Sequence, residues 1–173
     1  MKIVFTGAQG TGKTTILNEF SGSIEVITEV VRILHKNGVK INEVGDDEGQ
    51  ELIFNTYKKL LNEKANYISD RCLVDVFAYT KYLYNEGKVS KEVYIKQYEE
   101  LKEFISNNKD IVYIYFPIEF DLVDDGVRSL NNDFRSAIDN NILNTLNELN
   151  VNYLTMRGGI EERVRNMKFV MSI

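Results

Sequence analysis

The octapeptide GAQGTGKT, Gly7 to Thr14, fits the pattern G-x-x-x-x-G-K-[ST]. An apolar run, KIVF (2–5), precedes it, and KTTILNEFS (13–21), which reads as a helix, follows it. Strand, glycine loop and helix form the setting in which this pattern binds phosphate. Gly7, Gly10 and Gly12 allow the turns that aim successive backbone N–H groups at phosphate oxygens, and the helix N-terminus adds a favourable dipole. In this reading Gly7, Ala8, Gln9, Gly10, Thr11, Gly12, Lys13, Thr14 and Thr15 cradle a nucleotide. Lys13 reaches the β- and γ-phosphates, and the Thr14 hydroxyl joins a Mg²⁺ shell. A plain strand–helix turn with a chance lysine would explain the glycines but not the full pattern in its context.

Outward from the loop, short apolar runs alternate with longer periodic ones. IEVIT (24–28), NYIS (66–69), IVYIYF (111–116) and VNYLTM (151–156) read as strands. VVRILHKN (30–37), QELIFNTYKKLLNEKA (50–65), VDVFAYTKYLYNEG (74–87), SAIDNNILNTLNEL (136–149) and IEERVRNMKFVM (160–171) read as helices. A further helix carries Tyr94, Tyr98, Leu101 and Ile105 at helical spacing. GVKINEVGDDEG (38–49) reads as a polar loop. The near-continuous apolar character of IVYIYF suits a sheet covered on both faces. The alternation predicts an α/β fold, a three-layer sandwich around a five-stranded parallel sheet, in one domain over 1–173.

The bulk properties narrow the class. A chain of 173 residues with 43% hydrophobic and 27% charged residues has the make-up of a soluble domain with one sizeable core. A net charge of −5 argues against a broad nucleic-acid or membrane patch. One cysteine rules out an internal disulfide and suits a reducing compartment, and one histidine leaves no multi-histidine metal site. No apolar run has the length of a bilayer span, and the N-terminus has no signal-peptide pattern, so a cytoplasmic protein is expected. DDEG (46–49) and NKD (108–110) have the look of GTPase motifs but sit outside the strand contexts those need. Both read as solvated loops, which favours ATP over GTP.

Two strand ends carry candidate chemistry. Asp70 and Arg71 follow NYIS, and ligands of open α/β sheets bind beyond the carboxyl ends of strands. An aspartate there can hold Mg²⁺ or take a proton from an attacking hydroxyl, and the arginine can bind phosphate. A helix N-cap with a surface ion pair is the competing reading. In TEVVR (28–32), Glu29 and Arg32 share a face at helical spacing. Either they recognise an acceptor or they form an ordinary ion pair at a helix start.

TGAQGTGKTT (6–15), SDRCLVDVFAY (69–79) and DDGVRSLNNDFR (124–135) together resemble the P-loop nucleoside and nucleotide kinase superfamily. The middle segment resembles both thymidylate kinases and ribosylnicotinamide kinase domains, as well as small phage and bacterial ATP-binding proteins. Cys72 departs from the aromatic residue of thymidylate kinases, and the arginine–glutamate–proline turn of that family is absent at Glu29. The resemblance implies a P-loop NTPase sandwich with a helical lid over 118–135. It implies an ATP- and Mg²⁺-dependent kinase of a nucleoside or (deoxy)nucleoside monophosphate. Asp70 falls on the catalytic or metal-facing carboxylate and Arg71 on the phosphate-contacting arginine. Arg128 and Arg135, two helical turns apart, fall on the lid, where such arginines neutralise the transferring group. Gly158, in MRGGIEE (156–162), falls on the adenine-contacting loop, and related kinases are often homodimers. The rivals are an ATPase or nucleotide-binding regulator without a small acceptor, and a 5′-polynucleotide kinase, against which the acidic balance counts.

Overall fold

The computed structural model of the chain describes residues 1–172. Five parallel strands form one sheet in the order β2–β3–β1–β4–β5. They are β1 (Lys2–Thr6), β2 (Val26–Ile27), β3 (Tyr67–Ser69), β4 (Ile111–Tyr115) and β5 (Tyr153–Thr155). The helices are α1 (Lys13–Asn18), α2 (Val30–Lys36), α3 (Asp47–Glu63), α4 (Leu73–Asn85), α5 (Lys91–Asn107), α6 (Asn132–Glu148) and α7 (Ile160–Ser172).

Side-chain alternation along the strands fills two cores, one on each face of the sheet. Ile3 and Phe5 of β1, Ile68 of β3 and Ile114 of β4 pack with Ile16 and Leu17 of α1 and Met167 of α7. Val4, Tyr67, Tyr113 and Tyr115 turn to the other face, against Phe54 of α3, Phe77 of α4, Leu101 of α5 and Ile138 of α6. The sequence-based sandwich is therefore the observed one. Its central strand is β1, which pairs with β3 on one side and β4 on the other.

Two local expectations change. DDEG is not a loop: Asp46 caps α3 by accepting from the Gly49 amide, and Asp47 to Gly49 form its first turn. The segment from Pro117 to Leu130 is not a helical lid but an irregular strap over the phosphate loop. Asp124 accepts from the Gly126 amide, and Asp125 accepts from the amides of Val127 and Arg128. These side-chain turns replace the helix's own hydrogen bonds, and Gly126 at φ 75 breaks the helical path. Asn131 then caps α6, which places Arg135 in the first turn of that helix rather than in the strap.

Gly7 shows how tightly the loop is seated. A Cβ there would lie 2.4 Å from the Phe116 carbonyl oxygen, and its φ of 144 is foreign to side-chain-bearing residues. Gly7→Ala is expected to destabilise the fold by at least about 2 kcal/mol. Thermal unfolding should register this as a Tm lower by roughly 4–8 °C.

Candidate active site

The phosphate loop lines one wall of a cavity of about 360 Å³, through Gln9 to Thr15. Gly10 (φ 71) and Gly12 (φ 88) make the turns that the sequence assigned to them. Gly7 and Ala8 lie behind this wall. The Gly7 amide does not face a ligand but donates to Asp75 Oδ1 at 3.0 Å. Asp75 Oδ2 in turn accepts from the backbone amide and thiol of Cys72, both at 3.0 Å. One fully buried carboxylate thus joins the loop to the turn after β3.

Lys13 is buried, and its Nζ donates to the carbonyls of Gly7 (2.6 Å) and Ala8 (2.7 Å) and to Thr11 Oγ1 (3.1 Å). Burial, with a smaller push from the Arg71 charge, pulls its pKa down from 10.5 to about 7, against the opposing Asp75 and Asp70 carboxylates. The folded state therefore binds fewer protons at this site than the unfolded chain between pH about 7 and 10.5. Stability from this site rises with pH across that window, and below it the burial penalty is present in full. Lys13→Met is expected to match or exceed the wild-type Tm at pH 7. The difference between the two proteins should shrink towards pH 10, which thermal denaturation across pH would show.

The ends of β2 and β3 form the opposite wall. The pairing Ile27↔Ser69 brings Thr28 and Asp70 level. Thr28 Oγ1 donates to Asp70 Oδ2 at 2.7 Å, while the buried Asp70 Oδ1 has no protein partner. Burial raises the Asp70 pKa, opposed by the Thr28 hydrogen bond and the Arg71 and Lys13 charges. Arg71 lies over the Tyr79 ring, 5.5 Å from its centroid, with Nη1 3.5 Å from the Tyr79 hydroxyl. Glu29, at the α2 N-cap, adopts φ 60, and its carboxylate forms an ion pair with Arg32, 2.7 Å from Nε. Asp70, Arg71, Glu29 and Arg32 all line the cavity.

The strap closes the third side, and Asp125 organises it. One oxygen takes the Val127 and Arg128 amides, and the other takes Arg32 Nη2 (2.8 Å) and Arg128 Nε (2.9 Å). Partial burial pushes the Asp125 carboxyl up, but these donors outweigh it and hold it well below the usual carboxylate range. Arg128 Nη1 comes within 3.6 Å of where a Cβ on Gly10 would stand, so its guanidinium hangs over the apex of the phosphate loop. Arg135 does not share a helical face with Arg128. It is 3% exposed and bonds the carbonyls of Gln9 (2.9 Å), Gly10 (3.0 Å) and Phe120 (2.8 Å). It is not among the cavity-lining residues, and its three bonds to backbone carbonyls brace loop and strap.

Arg163 and Glu119 fall in no sequence motif, yet both brace the loop. Arg163, 1% exposed on α7, donates to the Thr11 carbonyl at 2.6 Å and to Glu119 Oε2 at 2.7 Å. Its guanidinium lies 4.9 Å from the Phe120 ring centroid and 5.3 Å from that of Phe116. Glu119 also accepts from Arg157 and from the Gly158 amide. Gly158 takes φ 89 but sits outside the cavity; Ile160 and Phe120 form the apolar wall at that end. An arginine in an exposed-looking helix, IEERVRNMKF, carries no local sign of being buried.

The donor set suits a hard cation held mainly by a nucleotide. Among the described residues no group of three or more His, Cys, Asp and Glu side chains could cage a metal. The exposed Thr14 hydroxyl and the unpartnered Asp70 Oδ1 both line the cavity, which fits Mg²⁺, an ion that combines few protein oxygens with phosphates and water.

A parallel sheet with its phosphate loop after the central strand, and an aspartate ending the adjacent one, defines a P-loop protein with a nucleoside-kinase-like fold. The chain belongs to the AAA domain family, whose profile matches residues 2–163. It is similar to deoxyadenosine kinase from M. mycoides, solved with dCMP and dCDP, at 17% identity and a TM-score of 0.68, over 99% of this chain and 98% of that one. It is similar to the YorR protein from Bacillus subtilis, in complex with phosphorylated GDP, at 14% identity and a TM-score of 0.63, over 99% and 96%. It is also similar to the NadR protein in complex with NR, at 19% identity and a TM-score of 0.69, over 99% of this chain and 51% of that one. No curated protein sequence matches. No helix among the described residues is long and apolar enough to cross a membrane.

Proposed function

We propose that the protein is an ATP- and Mg²⁺-dependent phosphotransferase whose acceptor is a nucleoside or a (deoxy)nucleoside monophosphate. The observation that carries this is the cavity itself. It runs from the phosphate loop to a second wall at β2 and β3, where a buried carboxylate oxygen has no partner. A site for hydrolysis alone needs room for a water beyond the γ-phosphate, not a second lined wall. The named ligands of the fold's neighbours, nucleosides and nucleotides, support the same reading.

In this proposal the amides from Gln9 to Thr14 and the Lys13 ammonium bind the β- and γ-phosphates. Mg²⁺, when bound, supplies charge neutralisation across these phosphates, and Thr14 and Asp70 are the residues that would hold it. Asp70 orients the acceptor hydroxyl and takes its proton as the new O–P bond forms and the bond to the departing ADP oxygen breaks. Asp70 is favoured over Glu29 as the base because the Glu29 carboxylate already serves Arg32. Arg71 and Arg128 neutralise the transferring group, and Arg135 and Arg163 hold the loop.

Transfer of labelled γ-phosphate from ATP to a panel of nucleosides and nucleoside monophosphates tests the proposal. A labelled acceptor is the expected product. ATP binding with release of phosphate alone, and no labelled acceptor, would overturn it in favour of an ATPase or regulator.

A further inference from the structure

We propose that the acceptor is an uncharged, hydroxyl-bearing molecule of the nucleoside class, and that Glu29 and Asp125 exclude its phosphorylated form. This rests on the phosphotransferase reading above. Arg32 is the cation on the acceptor wall that a phosphate would seek. Its Nε is held by Glu29 at 2.7 Å and its Nη2 by Asp125 at 2.8 Å, so two carboxylates already share its charge. Asp125 also binds Arg128 through the same oxygen, at 2.9 Å. The acceptor wall and strap together present four carboxylates, Glu29, Asp70, Asp121 and Asp125, to three guanidiniums, Arg32, Arg71 and Arg128. That balance is already negative before any acceptor enters.

A phosphate dianion needs cations with free donors, because desolvating it without them is unfavourable. Here Arg71 and Arg128 flank the transferring group, and Arg32 is neutralised on two edges. The arrangement is built rather than incidental. Glu29 holds its carboxylate on Arg32 from a left-handed backbone, φ 60, which a residue with a side chain adopts only at some expense in energy. Asp125 is fixed by two backbone amides independently of either arginine. A narrow annex of about 40 Å³ beside Arg71 is lined by Val31, Ile41, Ile53, Val76 and Tyr79 and by the amide side chains of Asn42 and Gln50, so it adds no further cation to the acceptor end.

The test compares matched pairs, each nucleoside against its own 5′-monophosphate, in the labelled-ATP assay with the full chain. The wild-type protein is expected to favour nucleosides in kcat/KM by at least about 100-fold. Asp125→Asn keeps an acceptor for the two amides but removes the charge, and should lower the KM for monophosphates by about tenfold. Glu29→Gln provides the same readout should Asp125→Asn fail to fold. A wild-type preference for monophosphates overturns the inference and leaves the phosphotransferase reading standing. Unchanged monophosphate KM in both variants overturns the assignment of the two carboxylates. Transfer to neither class, with ATP bound, overturns the inference and the reading together.

Discussion

Arg128→Ala is expected to slow phosphoryl transfer by about 10³-fold or more, while ATP affinity and Tm stay close to wild type. The expectation follows from where the side chain is and what holds it. Its guanidinium hangs over Gly10 at the loop apex, and in the proposed reaction charge would gather there on a phosphoryl group in flight. An arginine so placed is worth roughly 10³–10⁵ in rate, about 4–7 kcal/mol of barrier. As a surface ion pair with Asp125 it would be worth at most about 1 kcal/mol, and removal would leave the rate unchanged. The fold should survive, because Asp125 keeps both backbone amides and Arg32. Arg128→Lys should recover only part of the loss, since an ammonium cannot hold Asp125 and a phosphate as a fork does. Single-turnover transfer rates, beside calorimetric ATP binding, separate the two accounts, and an undiminished rate in Arg128→Ala would sink the assignment. Arg135→Ala provides the contrast. Its three bonds are to backbone carbonyls of loop and strap, so it should lower Tm and ATP affinity as well as rate.

That contrast marks the limit of what the sequence revealed. The phosphate loop and the five strands were legible because each is a local pattern: glycines at fixed spacing, or an apolar run of strand length. Asp70 and Arg71 were legible for the same reason, as polar residues directly after such a run. The role of Arg135 was not. An arginine near a helix start looks the same whether it faces solvent or crosses 126 positions of chain to reach the Gln9 carbonyl. The link from Arg32 to Asp125 spans 93 positions, and that from Arg163 to Thr11 spans 152. Long-range pairs leave no periodicity to read. The strap failed differently. Two arginines seven residues apart satisfy a helical template, but consecutive aspartates and a glycine prefer side-chain turns, and local turn chemistry overrode spacing. Asp75 fell between these cases. It sits one helical turn into α4, where it completes a capping box with Cys72. Only the fold reveals that its other oxygen carries the Gly7 amide.

Asp70→Asn is expected to reduce turnover by about 10²–10⁴-fold, the usual range for losing a positioned base, and to make the protein more heat-stable at neutral pH. Both effects have one cause. The carboxylate is 8% exposed, with one oxygen on Thr28 and the other unpartnered, and burial lifts its pKa above the ordinary 3.8 despite Thr28, Arg71 and Lys13. A carboxyl that binds its proton more tightly when folded favours the folded state at low pH. That contribution is lost as pH rises from the unfolded pKa through the folded one, so at pH 7 the ionised group is a net liability to stability. Asparagine keeps the shape and the Thr28 contact without the buried charge. The same charge is what a hydroxyl proton or a metal ion would satisfy, so the strain sits where the chemistry needs it. The kcat/KM of the wild type should fall on the acid side as Asp70 protonates in the free protein, with a midpoint above that of a free aspartate, and the residual activity of Asp70→Asn should lack this limb. Thermal unfolding and pH–rate profiles on the two proteins supply both readouts. An Asn variant that is no more stable, yet equally inactive, would point to a metal-holding role without a base. One that keeps full turnover would remove Asp70 from the site and pass the base to Glu29, which Arg32 would first have to release.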